Sequence, residues 1–579
     1  MRGRAAFLLG WAAFAALLLA LGGIRGKSPA PVVHAASASP AMQNPDAVCR
    51  NCHREIYDRY EKTPMAMGSG LALDGLDDAE LSAKDLIHAA SRVTYRVKVR
   101  GGKAYLEFER PASDPRGALE GERQLDYFIG SGHRGRTFLY QQEGLWFEVP
   151  INWYGKKKLW DMAPAYEDAT AMPAPLPVDP NCLHCHTGDT QLSTGPARNH
   201  YLGQPFRAAG VGCAACHGDP SAHLAGVAGG KPGTGPIVNP NKLDAARRDS
   251  ACIQCHLEGD AAIYLPGKSL ADFQPGDDLG KSIVYFIDNS KAQLGRRASS
   301  QYEALLRSAC KRASGDKLTC TTCHDPHNSP APEERVAFFR AKCLACHTGP
   351  EMAMHHPEQQ DCATCHMPTR STLDISHEQL TDHDIEAKPK RADDSTPLML
   401  SDLTRGRPRE LVPVGNITAG DRELGLAYAE LAQRGDRDSG ERALRLLKSA
   451  EAKGADDADL HDRLGYLLQV SGDAKSAASE YLAALRQRPL DTTAAANLAV
   501  LDAGSGQAAE AVRLLTQVVK EDPSQTAAGL NLAFLECRMG RKEDATATVR
   551  RMLDFNPDSQ AAKRMLANGS YGGQVCSLR

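Results

Sequence analysis

Cys320-Thr-Thr-Cys-His324, Cys343-Leu-Ala-Cys-His347 and Cys362-Ala-Thr-Cys-His366 crowd the stretch 320–383, and His327, His355, His356, His377 and His383 stand between and after them. Two cysteines and a histidine at this spacing form the attachment site of a c-type haem. The thiols add to the two haem vinyl groups, and the adjacent histidine ligates the iron. Three such sites in so short a stretch leave little room for an ordinary apolar core. The cofactors must supply much of the packing.

Four further copies lie upstream: Cys49, Cys52 and His53; Cys182, Cys185 and His186; Cys213, Cys216 and His217; and Cys252, Cys255 and His256. The seven motifs account for all but three of the 17 cysteines. Zinc needs four ligands per closed site and no fixed histidine after the second cysteine, so a zinc framework does not explain seven identical motifs. The expected cofactors are seven covalently bound haem c groups with iron. Cys310, Cys537 and Cys576 remain. Cys310 reads as a buried thiol or a weak haem ligand. Cys537 and Cys576 form a candidate disulfide in an oxidising compartment, whose geometry sequence cannot supply.

Lys and Arg number 68 against 71 Asp and Glu, a formal net charge of −3, so nothing in the charge argues for nucleic acid. Aromatic residues make up only 6%, as suits a chain whose large flat apolar groups are cofactors. The first residues, Met1-Arg-Gly-Arg4, precede an apolar run from Ala5 to Gly23 and the small-residue stretch Ala35–Ala38. Residues 1–38 therefore read as a signal peptide or, since the run approaches the length that spans a bilayer, an inner-membrane anchor. Either one places the remainder in the periplasm or another extracytoplasmic space.

The seven-haem cytochrome region is expected over 45–385. Within it, 71–180 carries no haem motif. There Val93, Tyr95, Val97 and Val99 alternate before Gly101-Gly102, and Leu145, Phe147, Val149 and Ile151 alternate again, which predicts a small β insertion built from hairpins. Residues 386–420 are polar and lack periodicity, as in a linker. From 421 to 579 the composition turns to Ala, Leu, Glu and Arg. Ala443, Ala477, Ala511 and Ala545 recur every 34 residues, as do Gly472, Gly506 and Gly540, and Pro489, Pro523 and Pro557. That period predicts an all-α tetratricopeptide-repeat solenoid of four helical pairs with a capping helix. The fold class is thus a multihaem cytochrome c, mostly irregular with short helices around stacked haems, with a β insertion and a repeat solenoid.

The second axial position of each iron decides between electron transfer and chemistry. His327, in Cys323-His-Asp-Pro-His327, is held away from its own haem by the proline and is expected to reach a neighbour. His223 follows the same logic. His377 and His383, after the last motif, are placed to reach back. One of His355 and His356 is expected to ligate, and His200 is a weaker candidate. The first haem lacks an obvious histidine partner downstream, so Met65 or Met67 is its candidate distal ligand, with a packing methionine or an open iron as alternatives. No catalytic residue is assigned.

These residues resemble a family. Cys216-His-Gly with a histidine six residues on, Cys323-His-Asp-Pro-His327, Cys365-His-Met-Pro368 and the trailing His377 and His383 are similar to multihaem cytochromes c related to pentahaem nitrite reductase and octahaem hydroxylamine oxidoreductase, with closest resemblance to exported members carrying C-terminal tetratricopeptide repeats. The resemblance implies stacked and perpendicular haem pairs forming an electron wire, mostly with two histidine ligands. The catalytic Cys-x-x-Cys-Lys of the nitrite reductases is absent: all seven motifs end in histidine. The expected function is electron transfer along the array, with the repeats docking a redox partner protein. The alternatives are an oxidoreductase acting on a small nitrogen or sulfur compound at one open haem, expected near haem 1 and the β insertion, and a scaffold in which the haems are structural.

Overall fold

The structure is a computed structural model that describes residues 42–578 apart from 78–80, 83, 133, 165, 232–234, 290–296, 350–360, 373–374, 376, 378, 388–408, 416, 572 and 577. The N-terminal segment 1–38 and the ligand candidates His355 and His356 lie outside the described residues.

Residues 69–177 form two antiparallel sheets. In the first, β2 (Leu86–His88), β3 (Val93–Arg100), β4 (Lys103–Arg110) and β5 (Leu119–Leu125) follow one another as a meander. The second runs β1 (Ser69–Leu71), β6 (Tyr127–Gly130), β7 (Gly135–Gln142), β8 (Leu145–Tyr154), β10 (Leu176–Pro177), with β9 (Leu159–Met162) paired to β8. Period-two alternation puts Val93, Tyr95 and Val97 on the inner face of β3, opposite Leu106 and Phe108 of β4. These pack with Phe138, Phe147, Trp153 and Trp160 of the second sheet. Gly101 and Gly102 make the β3–β4 turn, both at positive φ.

The haem motifs sit on short helices, Ala47–Arg50, Pro180–His186, Ala214–His217, Ala245–His256, Cys320–Cys323, Pro332–Leu344 and Ala363–His366, or at their ends. Asp179 and Asp244 cap the second and fourth of these, accepting from the backbone N–H of Asn181 and Arg247. Among the described residues no helix is long and apolar enough to cross a membrane.

Four antiparallel helical pairs span Asp421–Phe555, and a ninth helix, Gln560–Asn568, covers the last. Ala443, Ala477, Ala511 and Ala545 are fully buried where paired helices cross. Gly472, Gly506 and Gly540 turn the chain between helices at positive φ. At Gly465 a Cβ would stand 2.7 Å from the Tyr481 ring, so only glycine allows this close approach. Cys537 and Cys576 are joined by a disulfide.

Part of the expected linker is structured. Leu411–Pro413 is a strand paired with Ile283–Asp288, which also pairs with Ala261–Tyr264. The sequence hid it because its hydrogen-bond partner lies more than a hundred residues upstream. This small sheet shares a core with the first repeat helix through Ile263, Val284, Phe286, Leu426 and Tyr428. The far end of the solenoid is tied to the β insertion. Arg110 and Asp558, both buried, pair at 2.5 and 2.7 Å. Arg551 pairs with Glu143, and Phe555 packs against Phe147. The repeats therefore bridge the cytochrome region, anchored at both ends.

Candidate haem sites and the cavity they share

We number the sites 1 to 7 in chain order. Three proximal histidines face a second histidine. His53 of site 1 lies opposite His223, with ring centres 6.5 Å apart and planes inclined by 26°. His217 of site 3 faces His327 at 5.8 Å and 7°. His324 of site 5 faces His383 at 6.1 Å and 27°. A metal–imidazole bond of about 2.0–2.1 Å, with about 1.1 Å from nitrogen to ring centre, puts two imidazoles on one metal about 6.3 Å apart. The three pairs have the separation that one haem iron between them requires, so the residues present fit the group.

Hydrogen bonds orient the rings for the same task. Nδ1 of His186 donates to the Gly130 carbonyl at 2.9 Å, His217 to Val238 at 2.8 Å, His366 to Glu386 at 2.6 Å, and the facing His383 to Thr381 at 2.9 Å. His256 donates to Gln301 Oε1 at 3.3 Å. A proton held at Nδ1 leaves the Nε2 lone pair for a metal. Burial, with His383 and His256 nearby, pushes His324 down to about 4, so its ring is neutral at physiological pH, the form that ligates.

Side chains clamp one site to the next. Asp46, just before site 1, accepts from the Cys213 backbone N–H of site 3 at 2.8 Å, and Asp46, Cys49 and Cys213 offer ligand atoms within 4.8 Å of one another. Gln254 lies between the two cysteines of site 4. Its amide donates to Ala215 of site 3 at 3.0 Å and its oxygen bonds His184 of site 2 at 2.7 Å. Asp249 accepts from Cys320 N–H of site 5 at 3.3 Å. Thiols of neighbouring sites also lie close enough to influence one another: Cys185 and Cys255, Cys252 and Cys320, and Cys343 and Cys362. Cys323 and Cys346 of sites 5 and 6 lie within electrostatic reach of each other. The contacts run from site 1 through 3, 4, 5 and 6 to 7, and site 2 branches from site 4.

The seven motifs differ in how their thiols are set, and Cys52 lies at one extreme. It is exposed and stands outside the cluster of Asp46, Cys49 and Cys213, whereas Cys49 is half-buried within that cluster. The physical reason is local. The helix Ala47–Arg50 buries none of its residues and ends before Cys52, so the second thiol of the motif lies at the surface. Cys346 of site 6 and Cys365 of site 7 are exposed as well, while both cysteines of sites 2, 3, 4 and 5 are half-buried. Sites 1 and 7 are the ends of the row, and each has one exposed thiol.

The structure places the other ligand candidates differently. Met65 and Met67 do not hold the position opposite His53, because His223 does. Its helix, Ser221–Ala228, turns back from site 3 toward the adjacent site 1. Met65 instead lines a cavity, and Met67 packs beside Gly132. His377 faces no proximal histidine. Its Nε2 bonds Asp161 at 2.6 Å and its Nδ1 lies 3.1 Å from Lys157 Nζ, so both nitrogens are engaged by the β insertion. His200 bonds Thr194 at 3.1 Å and lies on the cavity wall. Gln254, Asp46 and Asp249 were not singled out in sequence. They occupy variable positions within or before the motifs, where no spacing rule marks them.

The cavity has a volume of about 3570 Å³. Cys182, Cys185 and His186 of site 2 and Cys255 and His256 of site 4 line it, so haems attached at the two sites would share this space. Among the described residues no histidine ring faces His186 or His256. The opposite wall comes from β7 and β8, with Arg134, Glu148 and Asn152, and from the solenoid edge that carries Arg463, Arg488 and Lys520. Typical small-molecule sites occupy roughly 300–1,000 Å³, so this space exceeds one of them several-fold.

Three segments match models of known families: residues 155–218 match cytochrome c554 and c-prime, 312–352 a doubled CXXCH motif, and 503–569 the tetratricopeptide repeat. No curated protein matches the chain. Among solved structures, YrrB, described as a TPR protein with an unusual peptide-binding site, is 22% identical over 24% of this chain and 73% of its own, with a TM-score of 0.22. MamA from Desulfovibrio magneticus RS-1 is 22% identical over 24% of this chain and 78% of its own, also with a TM-score of 0.22. MamA from AMB-1 is 21% identical over 25% and 83%, with a TM-score of 0.23. The first two matched segments hold sites 2 and 3 and sites 5 and 6, and the third holds the last helical repeats. The chain is a multihaem c-type cytochrome with covalently bound haem c, and it ends in tetratricopeptide repeats, a fold that mediates contacts between proteins.

Proposed function

We propose that the protein is an exported electron-transfer cytochrome carrying seven haems, with electrons moving along sites 1, 3, 4, 5, 6 and 7 and branching to site 2. The observation that carries this reading is the set of three histidine pairs, each spaced for one iron, in a continuous chain of touching sites. Two strong protein ligands saturate an iron and suit it to electron transfer. Haems attached through these neighbouring thiols would lie close to one another, as hopping from site to site requires. The disulfide and the covalent haems fit an oxidising, extracytoplasmic location. The leader, cleaved or kept as an anchor, belongs to the same proposal, as does the packing of haems in the manner of the nitrite reductase and hydroxylamine oxidoreductase lineage. The repeats would dock the redox partner.

The shared cavity favours a second reading, an oxidoreductase that binds a small nitrogen or sulfur compound at site 2 or site 4. Pyridine haemochrome analysis should count seven haems per chain. Magnetic circular dichroism of the oxidised protein should then show low-spin iron at the three sites whose histidines are paired. A high-spin component that shifts on addition of nitrite, hydroxylamine or cyanide would replace the first reading with the second.

A further inference from the structure

Strand β8 is buried along its whole length except at Glu148. Phe147 and Val149 flank it in the β core, and its backbone is held between Leu139 of β7 and Leu176 of β10. Its free surface faces the cavity wall shared with Cys182, Cys185 and His186 of site 2. Among the described residues its carboxylate has neither an ion pair nor a hydrogen-bond donor. A carboxylate without partners on a largely enclosed wall is costly to ionise, and burial pushes Glu148 up to about 7. Its charge acts on the Cys182 thiol, which Asp179 also influences. The other titratable and charged groups around it are Tyr166, whose phenol feels the same charge, and Arg123 and Tyr140, which line a small pocket behind it. Arg551 on the solenoid side is taken up by Glu143. Arg123 donates to the Glu122 and Asp554 carbonyls rather than to Glu148.

We propose that Glu148 is the proton acceptor coupled to reduction of the haem at site 2. One electron, delivered through site 4 from a one-electron reductant, lowers the iron's charge by one. Glu148 takes one proton from water in the cavity, so the site gains one electron and one proton together. Site 2 differs in this from the saturated sites 1, 3 and 5. It is a branch end beside a carboxylate, where reduction and protonation can proceed as one event.

The inference rests on a haem being present at site 2, and the test separates the two. Haem count by pyridine haemochrome checks the haem itself: six haems after mutation of Cys182 and Cys185, against seven in the native chain, supports the proposed function, and no difference overturns it. Redox titrations of the full, haem-loaded chain between pH 5.5 and 9, followed in the Soret band, check Glu148. One of the resolved potentials should fall by about 59 mV per pH unit over part of that range, the tenfold change in proton activity expressed for a one-electron couple. In Glu148→Gln that slope should vanish with the haem count unchanged, and in Glu148→Asp it should persist over a displaced pH range. A slope that survives in Glu148→Gln assigns the proton to a haem propionate and overturns the proposal. A native protein without any such component overturns it too.

Discussion

At the scale of single residues, the histidines divide by what their second nitrogen does. His217, His366 and His383 give Nδ1 to a carbonyl and keep Nε2 for iron, whereas His88 bonds Ser91 and the Glu167 carbonyl at 2.8 Å each and keeps nothing. His461, in the repeats, is buried between Asp456 and Glu480, at 2.9 and 2.7 Å. We predict that His223→Ala converts one haem from low spin to high spin in electron paramagnetic resonance, while Met65→Ala and Met67→Ala leave the spectrum unchanged. The opposite pattern would return site 1 to methionine ligation. Gln254→Ala leaves the Ala215 carbonyl and His184 without their partner in a buried position. Unmade buried hydrogen bonds cost about 1–3 kcal/mol, so the thermal transition of the haem region should fall while haem incorporation stays complete. His223 was legible as a ligand, since the Gly-Asp-Pro segment after site 3 prevents it from returning to its own haem. Which iron it reaches was not legible, because that depends on a fold contact between sites 1 and 3 made by Asp46. The exposure of Cys52 was hidden in the same way: its motif reads like the other six, and only its place at the end of the row sets it apart.

At the scale of elements, the solenoid is the part most fully written in the sequence. Three residue types share one period because each repeat reuses the same crossing: a small residue between paired helices, a glycine in the left-handed turn, a proline at the end. The strand Leu411–Pro413 shows the reverse case. Its short polar surroundings carry no alternating pattern, and it exists because Ile283–Asp288 offers an edge. The Cys537–Cys576 disulfide closes the last repeat, the capping helix and the C-terminal strands into one loop with a sequence separation of 39. A loop of that length stabilises by about 2–4 kcal/mol through its effect on the unfolded chain. Cys576→Ser should lower the unfolding free energy of the repeat region by that amount, read as a lower denaturation midpoint. An unchanged midpoint would mean that the capping helix is held by packing alone, through Ala562 and Met565.

At the scale of the whole molecule, the decisive contacts join the β insertion to the last repeat. Arg110 and Asp558 are buried, and Asp558 also accepts from Met172 N–H at 2.8 Å and Lys563 at 2.9 Å. Breaking a buried pair from one side costs about 3–5 kcal/mol because it strands the other charge. Arg110→Ala should therefore release the solenoid end, detected as protease cleavage near residue 558 and a separate unfolding transition for the repeats. A single transition at the native temperature would contradict this. Burial opposes the Asp558 charge, but Arg110, Lys563 and the Met172 N–H outweigh it and hold its carboxyl below the usual range. A depressed folded value gives stability that is present above the unfolded carboxylate pKa of about 3.9 and is lost as pH falls through the folded value. The two ends should thus stay joined at neutral pH and separate only under acid, below about pH 4, as followed by the same protease assay.

The sequence by itself determined the features that are local or periodic. Haem attachment needs only five consecutive residues, and repeat packing needs only a constant spacing, so both can be read without knowing the fold. Tertiary structure decided everything that joins distant residues: which histidine faces His53, His217 and His324, why His377 serves Asp161 instead, and how Gln254 binds three haem sites together. It also decided that sites 2 and 4 share one cavity and that Glu148 faces it. The reason is physical. A ligand pair or a cavity wall is set by distances in space between residues far apart in the chain, and no pattern along the chain encodes those distances.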